Sequence, residues 1–469
     1  LYEKRLDYSY NTTETDLKWS DDENYKKQVE VYIKSLMFLM RNKVILCNGK
    51  LELTKIRWFY PVSMEKTRYN NLKEAWDSAY HKYFGGNENN ILPITESVAP
   101  FKYYVGDRDA KNLVTIDIGG GTTDIVISET GAVDYITSFR FAANAIFGNG
   151  YAENNRVKNG IIRQFFNQIK LELQSKINEN DDLFRIFDEM YANKRSDDIA
   201  SFLFSLKQNK KVRLAGLNLA DNANLGKKLI EDTSQKITFI FFYAAIIYHL
   251  AKLMKVKDIK MPDKIVFSGN GSRVIQFLTD DSDTLEGYTK MIFEKVFGEK
   301  YHSNDLSIIR NKENPKEATC KGGFFAENPE SFKEILKKKV VLHSNGTDTV
   351  IHRVGDSSDD IKETDIYKNI DEKYLEQTVQ EVKKFIQIVF DSLKFFSDEG
   401  YKLNPNSIEI AKKVCFQKLD IYTENGCRLK KKEVDENECI EETLFFYPLV
   451  GMLKELSDAI CDENLKNSK

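Results

Sequence analysis

Three consecutive glycines, Gly119, Gly120 and Gly121, stand between two aspartates, Asp117 and Asp124, in the run DIGGGTTD. Without Cβ atoms the backbone can come close to a ligand, and successive N–H groups can turn inward as a nest for phosphate oxygens. Thr122 and Thr123 add hydroxyls to the same turn. Asp117 can hold a hydrated Mg2+ through water, which suits an ion that dehydrates reluctantly. Asp124 can do the same or cap the turn. The competing reading is a tight glycine hairpin in an unrelated β protein. Two aspartates at hairpin spacing, between two apolar runs, favour the phosphate reading.

Such a loop needs strands to hold it. Leu113 to Ile118 (LVTIDI) and Asp124 to Ser128 (DIVIS) predict a hairpin, with a third strand in 133–141. Upstream, Val29, Tyr32, Ile33, Leu36, Met37 and Met40 predict a helix from Tyr25. Ile56 to Val62 reads as a buried strand ending at Pro61, Lys66 to Phe84 as a helix stopped by Gly85-Gly86, and Ile91 to Ile94 as a short strand leading into Glu96. Downstream, Ile161, Ile162, Phe165, Phe166, Ile169 and Leu173 mark one helix face, and 175–235 is polar and mostly helical. Ile237 to Met254 is a very apolar helix, short for a bilayer span and read as buried. Lys264 to Ser268 predicts a strand before a Gly-Asn-Gly turn, and Pro315 to Ala326 the start of a helix. Beyond Ala326 the pattern predicts a hairpin over Lys337 to Arg353 turning at Asn345-Gly346, and an acidic loop at 354–366. A long amphipathic helix over Leu375 to Phe396 is ended by Gly400, and a last apolar helix over Leu444 to Ile460 is broken near Pro448.

The wording DIGGGTTDI resembles the second phosphate loop of the actin, heat-shock-chaperone and sugar-kinase ATPase superfamily, most of all its bacterial actin and chaperone branches. Glu96-Ser97-Val98-Ala99 looks like the connecting segment of that superfamily, and Phe59 to Tyr80 resembles its strand–proline–helix unit. SGNGSRV (Ser268 to Val274) is similar to its adenosine loop, and NPKEATCKGGFFA (Asn314 to Ala326) to the helix that follows. The resemblance spans residues 56–326 with its parts in order.

It implies an α/β fold of actin-like (ribonuclease-H-like) lobes, with a mixed sheet, flanking helices and a mainly helical C-terminal extension. Residues 1–105 would be the remainder of a first lobe, 106–326 a second lobe with a variable subdomain at about 146–257, and 327–469 the extension. The resemblance also implies roles. Gly119, Gly120, Gly121, Thr122 and Thr123 would hold β- and γ-phosphates, and Asp117 and Asp124 would arrange Mg2+. Glu96 would position the attacking water, with Asp117 beside it as the second catalytic residue. Gly269, Asn270 and Gly271 would let adenosine approach, and Arg273 would stack on the adenine. Two departures are expected to matter. The first phosphate loop of the superfamily, an Asp-x-Gly-Thr type turn, is not found, as if the chain starts after it. Ala142-Ala143 stand where the superfamily tends to carry two glycines.

The composition agrees with a globular chain. Of 469 residues, 41% are hydrophobic and 30% charged, and the net charge of −3 gives no basic excess for nucleic acid or an acidic membrane. Six scattered cysteines without a CxxC pair, and five scattered histidines, argue against structural zinc and for a reducing, cytoplasmic setting. The expected function is an Mg-ATP-binding conformational switch with slow hydrolysis, taking ATP or ADP as ligand and a protein partner or self-assembly as its readout. The alternative is a non-catalytic actin-fold scaffold that binds a partner through its C-terminal extension. A sugar or acid kinase finds no substrate pocket in the pattern.

Overall fold

A computed structural model describes residues 23–467, apart from 63, 65, 106–111, 153, 155, 302–305, 312–313, 326–333, 335–336, 344–347, 351–371 and 432–441. The chain opens with α1 (Glu23–Leu46), β1 (Ile56–Tyr60), α2 (Lys66–Phe84), β2 (Ile91–Thr95) and α3 (Val98–Val105). The α2 crossover makes β1 and β2 parallel, from Ile56 opposite Ile91 to Tyr60 opposite Thr95. Ile33 and Met37 join Trp58, Tyr60 and Tyr80 in a small core. Tyr32, on the stripe predicted from the sequence, is instead exposed.

A second sheet carries β3 (Leu113–Ile118), β4 (Thr123–Ser128) and β5 (Tyr135–Phe139) as an antiparallel meander. On the other side of β3 run β6 (Lys264–Ser268) and β7 (Ser307–Arg310), both parallel to it. The order β5-β4-β3-β6-β7, with β4 antiparallel to both its neighbours, is a ribonuclease-H-like arrangement. Strand alternation sorts this sheet into two faces. Val114, Ile116, Ile118, Ile125, Ile127 and Phe267 point into the larger core. Leu113, Val126 and Val266 point the other way, onto Val62, Val98 and Phe101.

The larger core is covered by α4 (Ala143–Phe147), α5 (Gly160–Gln174), five helices between Asp182 and Glu231 (α6–α10), α11 (Lys236–Val256), α12 (Ile275–Leu278) and α13 (Ser282–Phe297). Among the described residues α11 alone is long and apolar enough to cross a membrane, and its apolar stretch is 94% buried inside the protein. A helix apolar all round is a core helix when its neighbours cover it. After β7 comes α14 (Glu317–Phe325). The order α1–β1–α2–β2–α3 therefore returns as α11–β6–α12/α13–β7–α14, and the two closing helices pack on each other. At their crossing a Cβ on Gly322 would lie 1.6 Å from the Ala99 carbonyl oxygen.

β8 (Val340–Leu342) and β9 (Asp348–Val350) pair antiparallel as the predicted hairpin, whose Asn345-Gly346 turn lies outside the described residues, as does 354–366. The C-terminal helices are α15 (Glu372–Asp398), α16 (Pro405–Val414), α17 (Leu419–Lys431) and α18 (Phe446–Asn467). The predicted apolar face of α15, with Val382, Phe385, Ile386, Val389 and Phe396, is buried in the same core as the sheet. That face packs within the chain and is not offered to another. The predicted break near Pro448 does not occur. Pro448 sits in the first turn of α18, where the missing N–H has no intrahelical acceptor to lose.

Candidate functional site

Four strands each place one polar residue at the same level of the sheet. Asp117 stands opposite Asp124 on one side and Ser268 on the other, and Asp124 stands opposite Ser138. All four are buried. They share the sheet face that looks toward α3 and α14. Like charges directly opposed destabilise a sheet, so the Asp117–Asp124 pair is a cost to the fold rather than a support.

Asp117 is held from several directions. Ser268 Oγ and Thr319 Oγ1 donate to its Oδ2 at 3.1 and 3.0 Å, and Lys316 Nζ lies 3.7 Å from Oδ1. Burial pushes its pKa up, Lys316 pulls it back, and Glu96 adds a further push, leaving it above the ordinary carboxylate range. Asp124 is pushed up to about 7, by burial first and then by Glu96 and Asp117. The Val62 N–H donates to Asp124 Oδ1 at 3.3 Å, which ties the end of β1 to the second sheet. Burial lowers the Lys316 pKa, but Asp117, Glu96 and Asp124 together outweigh it and raise it. Lys316 therefore serves as a counter-charge to all three carboxylates.

Glu96 reaches this cluster because β2 ends there. Its N–H donates to the Tyr60 carbonyl at 2.9 Å, one step beyond the parallel ladder. Thr95 Oγ1 accepts the Val98 N–H at 3.2 Å and starts α3. Glu96 is half-buried.

The linkage sign for Asp124 is unambiguous. Its folded pKa, about 7, lies above the ordinary 3.8, so the folded chain holds a proton that the unfolded chain releases. Ionisation then costs stability progressively as pH rises from about 4 to about 7. Asp124→Asn, which keeps the Oδ1 acceptor for Val62, should be more stable than the parent by about 2 kcal/mol at pH 8. The advantage should vanish at pH 4. Urea unfolding at the two pH values checks this, and an equal gain at both would remove the electrostatic account.

The glycine loop closes through Gly119 N–H donating to the Thr122 carbonyl at 2.8 Å. Its outer carbonyls are taken by α4: Ala143 N–H donates to Gly119 O at 3.3 Å and Asn144 N–H to Gly120 O at 2.9 Å. Among the described residues, the N–H groups of Gly120, Gly121 and Thr122 donate to no protein acceptor. A Cβ on Gly120 would meet nothing within 4 Å, and its φ lies outside the left-handed region. Thr123 differs from its neighbour. Its hydroxyl donates to the Phe141 carbonyl at 2.6 Å and serves the fold. Ala142 is the N-cap residue of α4, with no side chain to cap it.

The turn after β6 packs directly on this loop. Gly269 has φ +79, and a Cβ there would lie 2.3 Å from both Asp117 Oδ1 and the Ile118 carbonyl. A Cβ on Gly271 would lie 2.1 Å from the Gly119 carbonyl. Both glycines thus have a packing reason, independent of any ligand. Asn270 is exposed at the tip and Arg273 is half-buried in the 3-10 turn.

The structure therefore brings Glu96, Asp117, Asp124, the glycine loop and the Gly269–Arg273 turn into one neighbourhood. Sequence reasoning missed Lys316 and Thr319. The signal was there, since positions three apart at a helix start share a face. Among the described residues no group of three or more His, Cys, Asp or Glu is placed to hold a metal ion directly. The donor set still suits Mg2+ carried with its waters, because Glu96, Asp117 and Asp124 bring hard carboxylate oxygens to one place. A cavity of about 1000 Å3 lies elsewhere, between α15 and α17. Its buried carboxylate, Glu381, is already engaged by Tyr248 Oη at 2.6 Å and Lys252 Nζ at 2.8 Å.

No protein-family model matches the chain, and no curated protein matches it. Solved structures similar to it include a non-polymerising mutant of MamK bound to AMPPNP, with 16% identity and a TM-score of 0.30, over 66% of this chain and 77% of that one. Another is the MamK double helical filament, with 14% identity and a TM-score of 0.32, over 66% of this chain and 78% of that one.

Proposed function

We propose that this chain binds Mg-ATP at the glycine loop and acts as a nucleotide-dependent conformational switch with slow hydrolysis. The observation that carries the reading is Gly120. Neither φ nor packing requires a glycine there, yet its own N–H and those of Gly121 and Thr122 have no protein acceptor among the described residues. A bare backbone that the fold does not need suits a ligand that does, and an oxyanion is the ligand such a nest takes. The order of motifs along residues 56–326 supports placing the chain in the actin, heat-shock-chaperone and sugar-kinase superfamily.

In this reading Gly119 to Thr122 cradle phosphate oxygens. Asp117 and Asp124 would hold Mg2+ through its waters, and the ion would offset phosphate charge. Glu96 accepts a hydrogen bond from the attacking water and orients it. Lys316 partly offsets the burial of Asp117 and favours its charged form. Because Val62 of the first unit is bonded to Asp124 of the second sheet, a ligand that alters the charge at Asp124 acts on the junction between them. Differential affinity for two arrangements of that junction is what a switch requires. A protein partner or a second copy would read it out.

Glu96→Gln should keep ATP binding within a few-fold and lower hydrolysis about 100-fold or more. Calorimetry and phosphate release on parent and variant check both halves. Unchanged hydrolysis in the variant would take Glu96 out of the reaction. One observation favours the scaffold reading instead: Lys316 already supplies Asp117 with a cation. If ATP binds equally with and without Mg2+, that reading gains and the switch loses.

A further inference from the structure

The backbone of Lys316 is fixed on both sides. The carbonyl of Pro315 before it accepts the Gly269 N–H at 3.3 Å, and its own carbonyl accepts the Cys320 N–H at 3.2 Å. Its four-carbon stem is what remains free to turn. We propose that Lys316 is a phosphate-binding residue whose ammonium rests beside Asp117 in the nucleotide-free chain and gives up that place to the hydrated metal ion, an inference that depends on nucleotide binding at the glycine loop.

The two oxygens of Asp117 are held differently. Oδ2 accepts from the Ser268 hydroxyl at 3.1 Å and the Thr319 hydroxyl at 3.0 Å, so the carboxylate keeps its position without the ammonium. Oδ1 faces Lys316 Nζ at 3.7 Å, which is beyond hydrogen-bond range. The Lys316 side chain is 37% exposed against 2% for Asp117, and water screens a pair with one member so open. Charge holds the ammonium there, and a change of charge can move it. The position also lies at the foot of the glycine loop. The point that a Cβ on Gly269 would occupy is 2.3 Å from Asp117 Oδ1 and 2.3 Å from the Ile118 carbonyl oxygen, one residue before Gly119.

Elementary electrostatics gives the direction of the exchange. A hydrated divalent ion beside Asp117 repels an ammonium at the same oxygen. Phosphate oxygens along Gly119 to Thr122 attract it, and a compact ammonium with three rotatable donors suits them. Burial lowers the Lys316 pKa, but Asp117, Glu96 and Asp124 raise it more, so the group is charged when the nucleotide arrives. Lys316 therefore works against the metal ion before ATP binds and with the phosphates afterwards, which favours arrival of the two together.

The test is calorimetry on the full chain, parent and Lys316→Met, at constant ionic strength. Without nucleotide the variant should bind Mg2+ about tenfold more tightly, because the competing cation is gone. In EDTA it should bind ATP about tenfold more weakly, the loss of one charge-assisted hydrogen bond. A lysine that merely supports α14 would lower both affinities. ATP affinity that stays at the parent's value, or Mg2+ affinity that does not rise, overturns the proposal and leaves the glycine loop untouched. A parent that binds no ATP overturns the glycine-loop reading and this inference with it. Where Lys316→Met does not fold, acetylation of Lys316 in the parent, followed by mass spectrometry, decides. Mg2+ alone should speed it and ATP in EDTA should slow it, and a rate that neither changes overturns the proposal.

Discussion

Gly120→Val should weaken ATP binding about 100-fold or more while leaving the free energy of unfolding within about 1 kcal/mol of the parent. The two halves have separate causes. A side chain at position 120 meets no heavy atom within 4 Å, and its φ lies outside the region that penalises L residues. Replacing a glycine at such a site removes freedom from the unfolded chain and tends to stabilise by about 0.4–1 kcal/mol. The same two methyl groups project where the Gly120, Gly121 and Thr122 N–H groups would meet phosphate oxygens, and losing that contact is worth about 2.7 kcal/mol per hundredfold. Gly269→Ala gives the opposite signature. Its φ of +79 costs an L residue about 1–2 kcal/mol, and its Cβ would be forced to 2.3 Å from Asp117 Oδ1. Urea unfolding and ATP calorimetry on both variants separate a glycine kept for a ligand from one kept for the fold. If Gly120→Val binds ATP as the parent does, the loop is not a phosphate cradle.

That contrast also marks what could be read from the residues alone. DIGGGTTD announced a hairpin with bare backbone at its tip, and β3 and β4 lie there, with β4 starting at Thr123, one residue before the predicted Asp124. The sequence could not say which glycines serve packing, because Gly269 and Gly271 meet the Ile118 and Gly119 carbonyls only after 150 residues of intervening chain have folded. For the same reason Lys316 escaped notice. Its importance depends on α14 crossing α3, which brings it to Asp117 from 199 positions away (316 minus 117). β7 was also missed, since Ser307–Arg310 offers only two apolar residues between polar neighbours, too short a run for period to declare itself. Long periodic elements were legible: α11 was apolar on every side, and α15 showed its face plainly. Pro448 misled because a proline inside an apolar run reads as a break, whereas helix starts accept it.

Gly322→Ala should destabilise the protein by about 3 kcal/mol or more, although helix propensity alone would favour it. Alanine gains about 1 kcal/mol over glycine inside a helix, and α14 has a second glycine, Gly323, immediately beside the first. Sterics decide the sign. The new Cβ would lie 1.6 Å from the Ala99 carbonyl oxygen and 2.5 Å from its carbon, and these are backbone atoms of α3 that cannot rotate away. The helices must separate, and overpacking of this kind costs about 1–3 kcal/mol even where side chains can yield. The loss should spread to the site. Thr319 stands three residues before Gly322, a neighbour on the helix surface, and Lys316 immediately precedes the helix start, so a shifted α14 carries both away from Asp117. ATP affinity should therefore fall along with stability, whereas Gly120→Val lowers affinity alone. Urea unfolding and ATP calorimetry on the same variant decide it. Parent-like stability would mean that α3 and α14 do not meet as closely as the Gly322–Ala99 approach requires, and the path from Val62 and Glu96 to Asp117 would have to run elsewhere.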